Sequence, residues 1–185
     1  MKSFLKEAKE LNKLADLDYE KVLSLKKRYT EQLFEQEKDK ILASEEYRSF
    51  YEKNRFWLFS YTTYCYLRDK LGTAQFADWG EFSVYNEKKL QQLIESEPDA
   101  KNITDYHSFV QYLLDKQLNE VQKYAHSKGV ALKGDIPIGI NRNSIDAWTT
   151  AHLFNMDTQT GAPPDDFSFF GQNWGFPTYN WFAIE

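Results

Sequence analysis

Hydrophobic residues recur at spacings of three and four along most of the first half of the chain, which is the pattern of amphipathic helices. The pattern begins in residues 2–15, where the apolar positions are Phe4, Leu5, Ala8, Leu11 and Leu14. Asp18 is a preferred N-cap residue type and predicts a second helix that runs to about Leu42. Two amphipathic helices are therefore expected at the start of the chain.

The next segment becomes more apolar along its length. Ser44 predicts a helix cap and a helix toward Asn54. The residues that follow, "NRFWLFSYTTYCYLRDKLG", are apolar on most sides, so we expect a buried helix that Gly72 ends. Cys65, the only cysteine of the chain, lies in this run and is predicted to be a buried thiol. Trp57 is predicted to be a packing residue.

A loop and two further helices are predicted next. Residues 73–86 read as a loop in which Trp79 serves packing, and residues 87–95 read as a short helix. From Thr104 the apolar positions advance by three and four as far as Gly129. This is the clearest periodicity in the chain and predicts a long helix that ends at the glycine.

The run "VALKGDIPIGI", residues 130–140, is the one confident strand prediction. A helix, a glycine, an apolar strand and then an acidic residue form the order of a βα repeat. A lone strand cannot form a stable sheet, because its backbone groups need partners on both edges. The chain is therefore expected to be part of a larger α/β protein.

The stretch after Asn141 shows almost no regular pattern. Long irregular stretches in compact domains are normally either functional or disordered. The tryptophan and phenylalanine residues that follow Phe167, together with the small number of charges, favour an ordered and functional connection.

Composition and charge narrow the possible partners. Hydrophobic residues make up 42% of the 185 residues and aromatic residues 17%, enough for a sizeable core and a second use of aromatic faces. The net charge of −5 argues against nucleic acid and anionic membranes, because both attract basic surfaces. A neutral partner such as a sugar needs no net charge.

Other bulk features predict a cytoplasmic protein without a bound metal. No apolar run approaches the roughly 18 residues of a membrane span, and the charged start "MKSFLKEAKELNK" does not read as a signal peptide. His107, His126 and His152 lie far apart without metal-ligand spacing. We therefore predict no metal site and no cofactor.

Two acidic positions are candidates for chemistry. Asp135 follows the predicted strand, where the carboxyl end of a parallel sheet would hold substrate. Alternatively, it is a structural aspartate that bonds nearby backbone amides. Asp165 and Asp166 follow the rigid Pro163–Pro164 pair, and here the alternative is a solvated acidic turn.

Gln172 and Trp174 lie between two glycines in "GQNWGFP". An amide can donate to and accept from a hydroxyl, and an indole offers an apolar face and one N–H. A pyranose has apolar C–H faces and hydroxyl edges, so these groups suit a sugar. A loop held in place by tryptophan is the alternative.

Taken together, "GDIPIGI", "SIDAW", "GAPPDDFS", "GQNWGFPTYNW" and the upstream "FVQYLLDKQLNEVQKYAHSKGVALKG" resemble the 4-alpha-glucanotransferases, the amylomaltase or disproportionating-enzyme family. The resemblance is strong over residues 104–181 and weaker over 55–80. Short bacterial members usually have asparagine at the position of Phe176 and often have tyrosine at the position of Asp166. The residues of this chain at both positions look closer to those of the long branch typical of the plant cytosol.

The resemblance implies an α/β fold, a fragment of a (β/α)8 barrel with a large, mainly α-helical insertion subdomain. Residues 1–100 would form the helical subdomain, and residues 101–185 a βα unit of the catalytic barrel plus a substrate loop. It also implies transfer of α-1,4-glucan segments to the 4-hydroxyl of glucose or a glucan, with retention. The implied partners are α-1,4-glucans, maltooligosaccharides and the remainder of the same polypeptide.

Site residues follow from the same resemblance. Asp135 would be a substrate-binding carboxylate, Asp165 and Phe167 part of a loop beside the active site, and Gln172 and Trp174 sugar contacts. The family's nucleophile lies in an Arg-x-Asp segment and its acid/base glutamate follows later. No arginine of this chain stands in that context, so both catalytic carboxylates are expected beyond Glu185 and the chain alone is expected to be inactive.

Two other classes of protein compete with this interpretation. A non-catalytic glucan-binding module would use Trp174, Gln172 and Asp135 without any transfer reaction. A helical interaction domain would bury its aromatic residues in the core, and it would leave the segment from "GAPPDDF" to "GQNWGFP" without a purpose.

Overall fold

The computed structural model describes residues 2–184, which are mainly helical. The helices in chain order are α1 Lys2–Leu11, α2 Tyr19–Leu42, α3 Glu45–Leu71, α4 Glu87–Ser96, α5 Ala100–Ser127, α6 Ile145–Thr149 and α7 Trp181–Ile184. Short 3-10 turns occupy Phe76–Asp78, Gly80–Phe82 and Ala151–Leu153. The strands are β1 Phe154–Asn155, β2 Gly161–Ala162, β3 Gln172–Asn173 and β4 Thr178–Tyr179.

The predicted helix boundaries are confirmed where a capping residue sets them. The Asp18 side chain accepts a hydrogen bond from the Lys21 amide at the start of α2, and the Ser44 hydroxyl accepts one from the Tyr47 amide at the start of α3. Gly72 ends α3 in the left-handed conformation with φ 68°, which a residue with a side chain rarely adopts.

The helix that was expected to end near Asn54 instead continues through it. No glycine or proline interrupts residues 45–71, so nothing removes the backbone hydrogen bonds at this point. Asn54 bonds within the helix: its Nδ2 donates to the Phe50 carbonyl at 2.8 Å, and its Oδ1 accepts from Trp57 Nε1 at 3.0 Å. The middle of the run after Asn54, residues 58–67, is mostly buried as predicted, whereas Phe56 is exposed, and Trp57 packs against the core.

The helical core forms where α5 crosses α2 and α3. Phe109 on α5 is fully buried and its ring centroid lies 5.4 Å from that of Phe34 on α2. On the α3 side, the rings of Tyr47 and Tyr112 meet edge to face at 5.5 Å, and the Tyr47 hydroxyl donates to Ser108 at 2.8 Å. These contacts tie α5 to the helices that precede it. The division of the chain at residue 100 stays a prediction.

A second cluster packs the short helix α6 against α3. Ser144 caps α6, and Trp148 inserts between Tyr64, Trp79 and Tyr85 with ring centroids 5.9, 5.3 and 5.1 Å away. Its Nε1 donates to the Phe82 carbonyl at 2.9 Å. Trp148 therefore anchors the irregular C-terminal segment to the helices.

Two single-residue predictions about this cluster are confirmed. Cys65 is buried among the same residues, and burial raises the pKa of its thiol. Trp79 is buried and donates its Nε1 hydrogen to the Thr73 carbonyl at 3.0 Å.

The strand predicted over residues 130–140 is not formed, and this prediction is wrong for the chain as it stands. The segment is irregular, pairs with no strand among residues 2–184, and exposes Ile136 at 87%. A strand exists only when neighbouring strands accept and donate its backbone hydrogen bonds. The expected α/β class is therefore not visible in the described residues.

Two small antiparallel sheets form instead in the segment that showed no pattern. Strand β1 pairs with β4, with Phe154 opposite Tyr179, and β2 pairs with β3, with Gly161 opposite Asn173. Two-residue strands are too short to show a period in the sequence. They fold residues 154–179 into an ordered double hairpin, in which the β2–β3 pair lies in the chain between the two strands of the β1–β4 pair. Order in this segment is what its aromatic content indicated.

No helix among residues 2–184 combines the length and the hydropathy that crossing a membrane requires.

Candidate functional site

The candidate sugar contacts Gln172 and Trp174 lie together on one face of the β2–β3 hairpin. Trp174 Nε1 donates to Gln172 Oε1 at 2.9 Å, and the Trp174 ring lies 6.5 Å from that of Phe176. β3 covers only Gln172–Asn173, and Gly175 adopts φ 73° between Trp174 and Phe176, so these side chains do not meet through the alternation of one continuous strand. Trp174 is 39% exposed, so part of its ring faces solvent. The role of both residues as sugar contacts stays a prediction.

The tip of this hairpin, residues 163–171, is held by its own hydrogen bonds. Asp165 Oδ1 accepts from the amides of Phe167 at 3.0 Å and Ser168 at 2.7 Å. The Ser168 hydroxyl donates to the Gly171 carbonyl at 2.6 Å. Asp165 therefore shapes the tip through backbone contacts, and it presents Phe167 to solvent at 98% exposure.

Two glycines allow the hairpin strands to approach each other. Gly171 has φ 72°, and a Cβ there would come within 2.5 Å of the Ala162 carbonyl oxygen. A Cβ at Gly161 would collide with the carbonyl oxygen of Gln172. Any side chain at either position would push apart the strand that carries Gln172 and Trp174.

Asp135 lies on the exposed, unpaired segment and reaches the hairpin through its neighbours. Its Oδ1 accepts from the Ile136 amide at 2.9 Å, which is the local bonding that the structural alternative predicted. Farther along, the Tyr179 hydroxyl donates to the Ile138 carbonyl at 3.2 Å. Gly139 packs closely on the Phe176 ring, where a Cβ would lie 2.8 Å from a ring carbon.

Arg142 links the Asp135 segment to the hairpin, and the sequence analysis missed this role. Its Nη1 donates to the Met156 carbonyl and its Nη2 to the Thr158 carbonyl at 2.5 Å. The next residue, Asn143, accepts from the Tyr64 hydroxyl of α3. Burial raises the pKa of Tyr64, so its hydroxyl keeps the proton that it donates. A lone arginine carries no spacing signal, so only the folded chain reveals the contact.

The structure thus connects the predicted site residues in two ways, by direct hydrogen bonds and through neighbouring residues. Gln172 bonds directly to Trp174, and Asp165 bonds to the backbone of Phe167. Asp135 connects to this hairpin through Gly139–Phe176 and Ile138–Tyr179 rather than by contact of its own carboxylate. In the described part of the chain, no group of three or more histidine, cysteine or acidic side chains is placed to hold a metal ion.

A partly exposed indole, an amide hydrogen-bonded to it and an exposed phenylalanine ring at the hairpin tip suit a neutral polyhydroxyl ligand. The family model described as 4-alpha-glucanotransferase matches residues 1–185. The chain belongs to the 4-alpha-glucanotransferase family. The family resemblance read from the sequence motifs is therefore confirmed.

Relatives in this family align with nearly all of the chain but extend well beyond it. The rice protein "4-alpha-glucanotransferase DPE2" from Oryza sativa subsp. japonica is 43% identical over 181 residues, which are 98% of this chain and 19% of that protein. The "4-alpha-glucanotransferase" of Chlamydia muridarum is 31% identical over 180 residues, 97% of this chain and 33% of that protein. The higher identity to the rice protein confirms the expected likeness to the plant branch.

A solved structure of an amylomaltase shows a similar fold. "Amylomaltase from Streptococcus agalactiae in complex with acarbose" superimposes with a TM-score of 0.78 at 26% identity, over 89% of this chain and 34% of that one. The helical arrangement described above is therefore similar to that of a segment of this amylomaltase, and no barrel strand is formed among residues 2–184.

Proposed function

We propose that the chain supplies part of the glucan-binding groove of a 4-alpha-glucanotransferase, which transfers α-1,4-glucan segments to the 4-hydroxyl of glucose or a glucan with retention. The observation that carries the proposal is the exposed Gln172–Trp174 pair, set on a rigid hairpin in a chain whose family membership spans its whole length. The similarity to an amylomaltase in complex with acarbose supports a saccharide ligand.

Each group in the site has a distinct part in binding. The Trp174 ring stacks on the apolar face of a sugar, and its N–H fixes the Gln172 side chain so that the amide NH₂ remains available to a hydroxyl. Asp135 uses one oxygen on the Ile136 amide and keeps the other for a sugar hydroxyl. Because a sugar carries no charge, none of these groups needs an oppositely charged partner, and the acidic net charge of the chain does not oppose sugar binding.

The bond-breaking carboxylates belong to another part of the same polypeptide in this proposal. Retaining transfer needs a nucleophile and an acid/base about 5–5.5 Å apart, and none of the residues assigned above takes either role. The groove positions the glucan and excludes water, which favours transfer to a sugar over hydrolysis. We therefore propose that the 185-residue chain binds glucan without turning it over, in the cytoplasm, as part of starch or maltose metabolism.

The remainder of the polypeptide has a surface on which to pack. The second half of α5 exposes an aliphatic stripe, including Leu118 at 64%, and the unpaired segment that follows exposes Val130 and Ile136. Leucine and valine at helical spacing, followed by the continuous apolar run of residues 130–132, suit a barrel helix and its strand. In this proposal the (β/α)8 barrel forms when neighbouring strands pair with residues 130–140.

Dye binding tests this packing surface. Leu118→Lys combined with Val121→Lys should lower the binding of an apolar fluorescent dye to the chain and leave its unfolding midpoint unchanged, because both side chains already face solvent. A lower midpoint would show that the stripe is covered within the chain itself.

Ligand titration tests the function. The unaltered chain should bind maltotriose by calorimetry, and Trp174→Ala should weaken that binding by about tenfold or more, the effect of losing one aromatic contact and its hydrogen bond. Trp181→Ala is the matched control, because this exposed indole lies outside the Gln172 pair. Equal loss with both variants would contradict the assignment.

A turnover assay tests whether the catalytic carboxylates lie outside this chain. Incubation of the purified chain with maltotriose should release no glucose. Release above that of a heat-denatured sample would overturn the proposal that the catalytic carboxylates lie elsewhere. Binding without turnover is also what a dedicated glucan-binding module would give, and transfer activity of the longer polypeptide separates the two.

A further inference from the structure

Arg142 joins the chain segment before α6 to the double hairpin through its charged side chain. Its Nη1 donates to the Met156 carbonyl, and its Nη2 donates to the Thr158 carbonyl. A guanidinium group is planar and holds its donors in a fixed fork, so it can hold two carbonyls of one turn in a single orientation. The turn at residues 156–158 is therefore fixed relative to the backbone of Arg142.

This turn is bonded to the rest of the double hairpin. The hydroxyls of Thr158 and Thr178 share a hydrogen bond at 2.5 Å, which joins the turn to β4. Two residues after the turn, the Thr160 amide donates to the Phe176 carbonyl at 2.7 Å, and the Thr160 carbonyl accepts from the Trp174 amide at 3.0 Å. We therefore expect the turn and the strands of the double hairpin to move as one body.

The backbone that carries Arg142 is anchored in the helical core. The next residue, Asn143, accepts a hydrogen bond at its carbonyl from the buried Tyr64 of α3. Ser144 then caps α6, whose Trp148 ring lies 5.9 Å from the Tyr64 ring. Through Arg142, the position of the double hairpin is thus set by the packed helices.

The segment that carries Asp135 touches the double hairpin at two points. The Ile138 carbonyl accepts from the Tyr179 hydroxyl at 3.2 Å, and Gly139 packs on the Phe176 ring. The first is a hydrogen bond between neutral, exposed groups and the second is a van der Waals contact, so each contributes less than a hydrogen bond from a charged donor. Both contacts depend on a hairpin that is already in position.

We propose that Arg142 is a positioning residue, which fixes the hairpin that carries Gln172 and Trp174 against the segment that carries Asp135. The inference rests on the proposed function and adds to it a residue that itself touches no sugar. Without the guanidinium, the hairpin keeps its internal hydrogen bonds but loses its fixed position. A sugar that contacts both parts must then immobilise them on binding, which costs entropy and lowers the affinity.

Calorimetric titration of the full 185-residue chain with maltotriose tests the positioning role. Arg142→Met keeps an unbranched side chain, removes the donors and should weaken binding by about tenfold, the loss expected for bonds from a charged donor. Arg55→Met, which removes an exposed arginine of α3, should leave the affinity unchanged. Free guanidinium ion should restore part of the affinity lost in Arg142→Ala, and sodium ion at the same concentration should not.

A double-mutant cycle separates positioning from general stabilisation. In a chain that already carries Asp135→Ala, Arg142→Met should weaken maltotriose binding by no more than about twofold, because no Asp135 carboxylate remains to be aligned with the hairpin. A loss of about tenfold in both backgrounds would overturn the positioning role.

Two measurements without ligand show whether the hairpin moves as a body. The nuclear Overhauser contact between the Gly139 α-protons and the Phe176 ring should disappear in Arg142→Met and remain in Arg55→Met. Hydrogen exchange at the Trp174 amide should be as slow in Arg142→Met as in the unaltered chain, because the bonds within the hairpin are intact. Faster exchange would mean that the hairpin unfolds, and the positioning role would be wrong.

The outcomes distinguish this inference from the function on which it rests. If the unaltered chain and Arg142→Met bind maltotriose equally and both keep the Gly139–Phe176 contact, the positioning role is wrong and the proposed function stands. If the unaltered chain binds no maltotriose, the proposed function fails and the positioning role fails with it.

Discussion

Phenylalanine has opposite environments in the two halves of this molecule. Phe109, in the helical part, is fully buried against Phe34, whereas Phe167, in the double hairpin, is 98% exposed. Helices satisfy their backbone groups internally, so a few of them can build a core from a limited stretch of chain. The hairpins and the unpaired segment before them have no such autonomy. The relatives named above extend far beyond this stretch, and the contrast separates the residues that bury their side chains within this chain from those that leave them exposed.

The two regions are also ordered by different kinds of hydrogen bond. Between helices, side chains bond to side chains, as Tyr47 does to Ser108. In the C-terminal region, side chains bond mainly to backbone carbonyls and amides, as Arg142 and Asp165 do. Contacts of the second kind set the course of a loop without covering it, which is what an exposed binding surface needs.

Replacement of Phe109 or Phe167 by alanine should show the largest contrast between the two regions in the free energy of unfolding. Phe109→Ala should lower the free energy of unfolding by about 3–5 kcal/mol, because it leaves a cavity in the helical core. Phe167→Ala should change it by less than about 0.5 kcal/mol. Urea denaturation followed by circular dichroism measures both, and similar losses would remove the distinction between the regions.

Gly161 allows a test confined to the hairpin. Gly161→Ala should cost about 1–3 kcal/mol in local stability, because its Cβ collides with the Gln172 carbonyl and breaks the β2–β3 pairing. Hydrogen exchange at the Trp174 amide, which donates to the Thr160 carbonyl at 3.0 Å, should accelerate while exchange within α5 stays constant. Gly134→Ala, where nothing lies near the added Cβ, is the control. Faster exchange in α5 would mean that the two regions unfold together.

Alkaline pH should affect the helical core through its tyrosines. Burial raises the pKa of Tyr47 to about 12, above the value near 10 of an unfolded chain. The folded state therefore retains a proton that the unfolded state loses, and stability should fall between pH 10 and about 12. At pH 8, Tyr47→Phe should be less stable by about 1 kcal/mol, through loss of the bond to Ser108.

The difference in the free energy of unfolding between the unaltered chain and Tyr47→Phe should then narrow as the pH rises toward 12, because the phenylalanine variant has no Tyr47 proton to lose. Tyr61, whose pKa burial also raises to about 12, titrates in both proteins and cancels. Parallel stability curves from pH 8 to pH 12 would contradict the role assigned to Tyr47.

Acid should have a smaller effect through Asp69 on α3. Burial alone would raise the pKa of Asp69, but neighbouring His107, Arg68 and Lys27 outweigh burial and hold it well below its usual range. The carboxylate therefore contributes stability above the unfolded pKa of about 3.9, and this is lost as the pH falls through the lower folded value. Asp69→Asn should cost up to about 1 kcal/mol at pH 7 and progressively less below pH 4.

Exposed Asp157 in the C-terminal region is the control for this measurement. Asp157→Asn should leave the acid stability profile unchanged. If Asp69→Asn lowers the free energy of unfolding at pH 2 as much as at pH 7, the Asp69 side chain stabilises the fold by its shape rather than by its charge.

Sequence patterns predicted much of the helical part, because its signals are local. Asp18, Ser44 and Gly72 act through residues within four positions of themselves, so their effects can be read without a structure. The extra break expected at Asn54 was wrong because its polar side chain bonds within the helix and does not end it. Local signals of equal strength were absent from the two-residue strands.

The candidate site residues stay a prediction, but the structure shows which of their contacts sequence patterns can and cannot indicate. Gln172 and Trp174 stand two positions apart, so the hydrogen bond between them is a local contact. The contact of Gly139 with Phe176 joins positions far apart in sequence, and so do the Arg142 contacts with the Met156 and Thr158 carbonyls. Long-range contacts of this kind leave no periodic trace.

The amino-acid sequence by itself determined the helices, their caps, the buried run around Cys65 and the family to which the chain belongs. All of these depend on neighbouring residues or on motif order. Only the tertiary structure decided that residues 130–140 remain unpaired and that Trp148 anchors the C-terminal segment. It also decided that the hairpin tip faces solvent. A helix carries its hydrogen-bond partners within itself, whereas a strand or a loop receives them from distant parts of the chain.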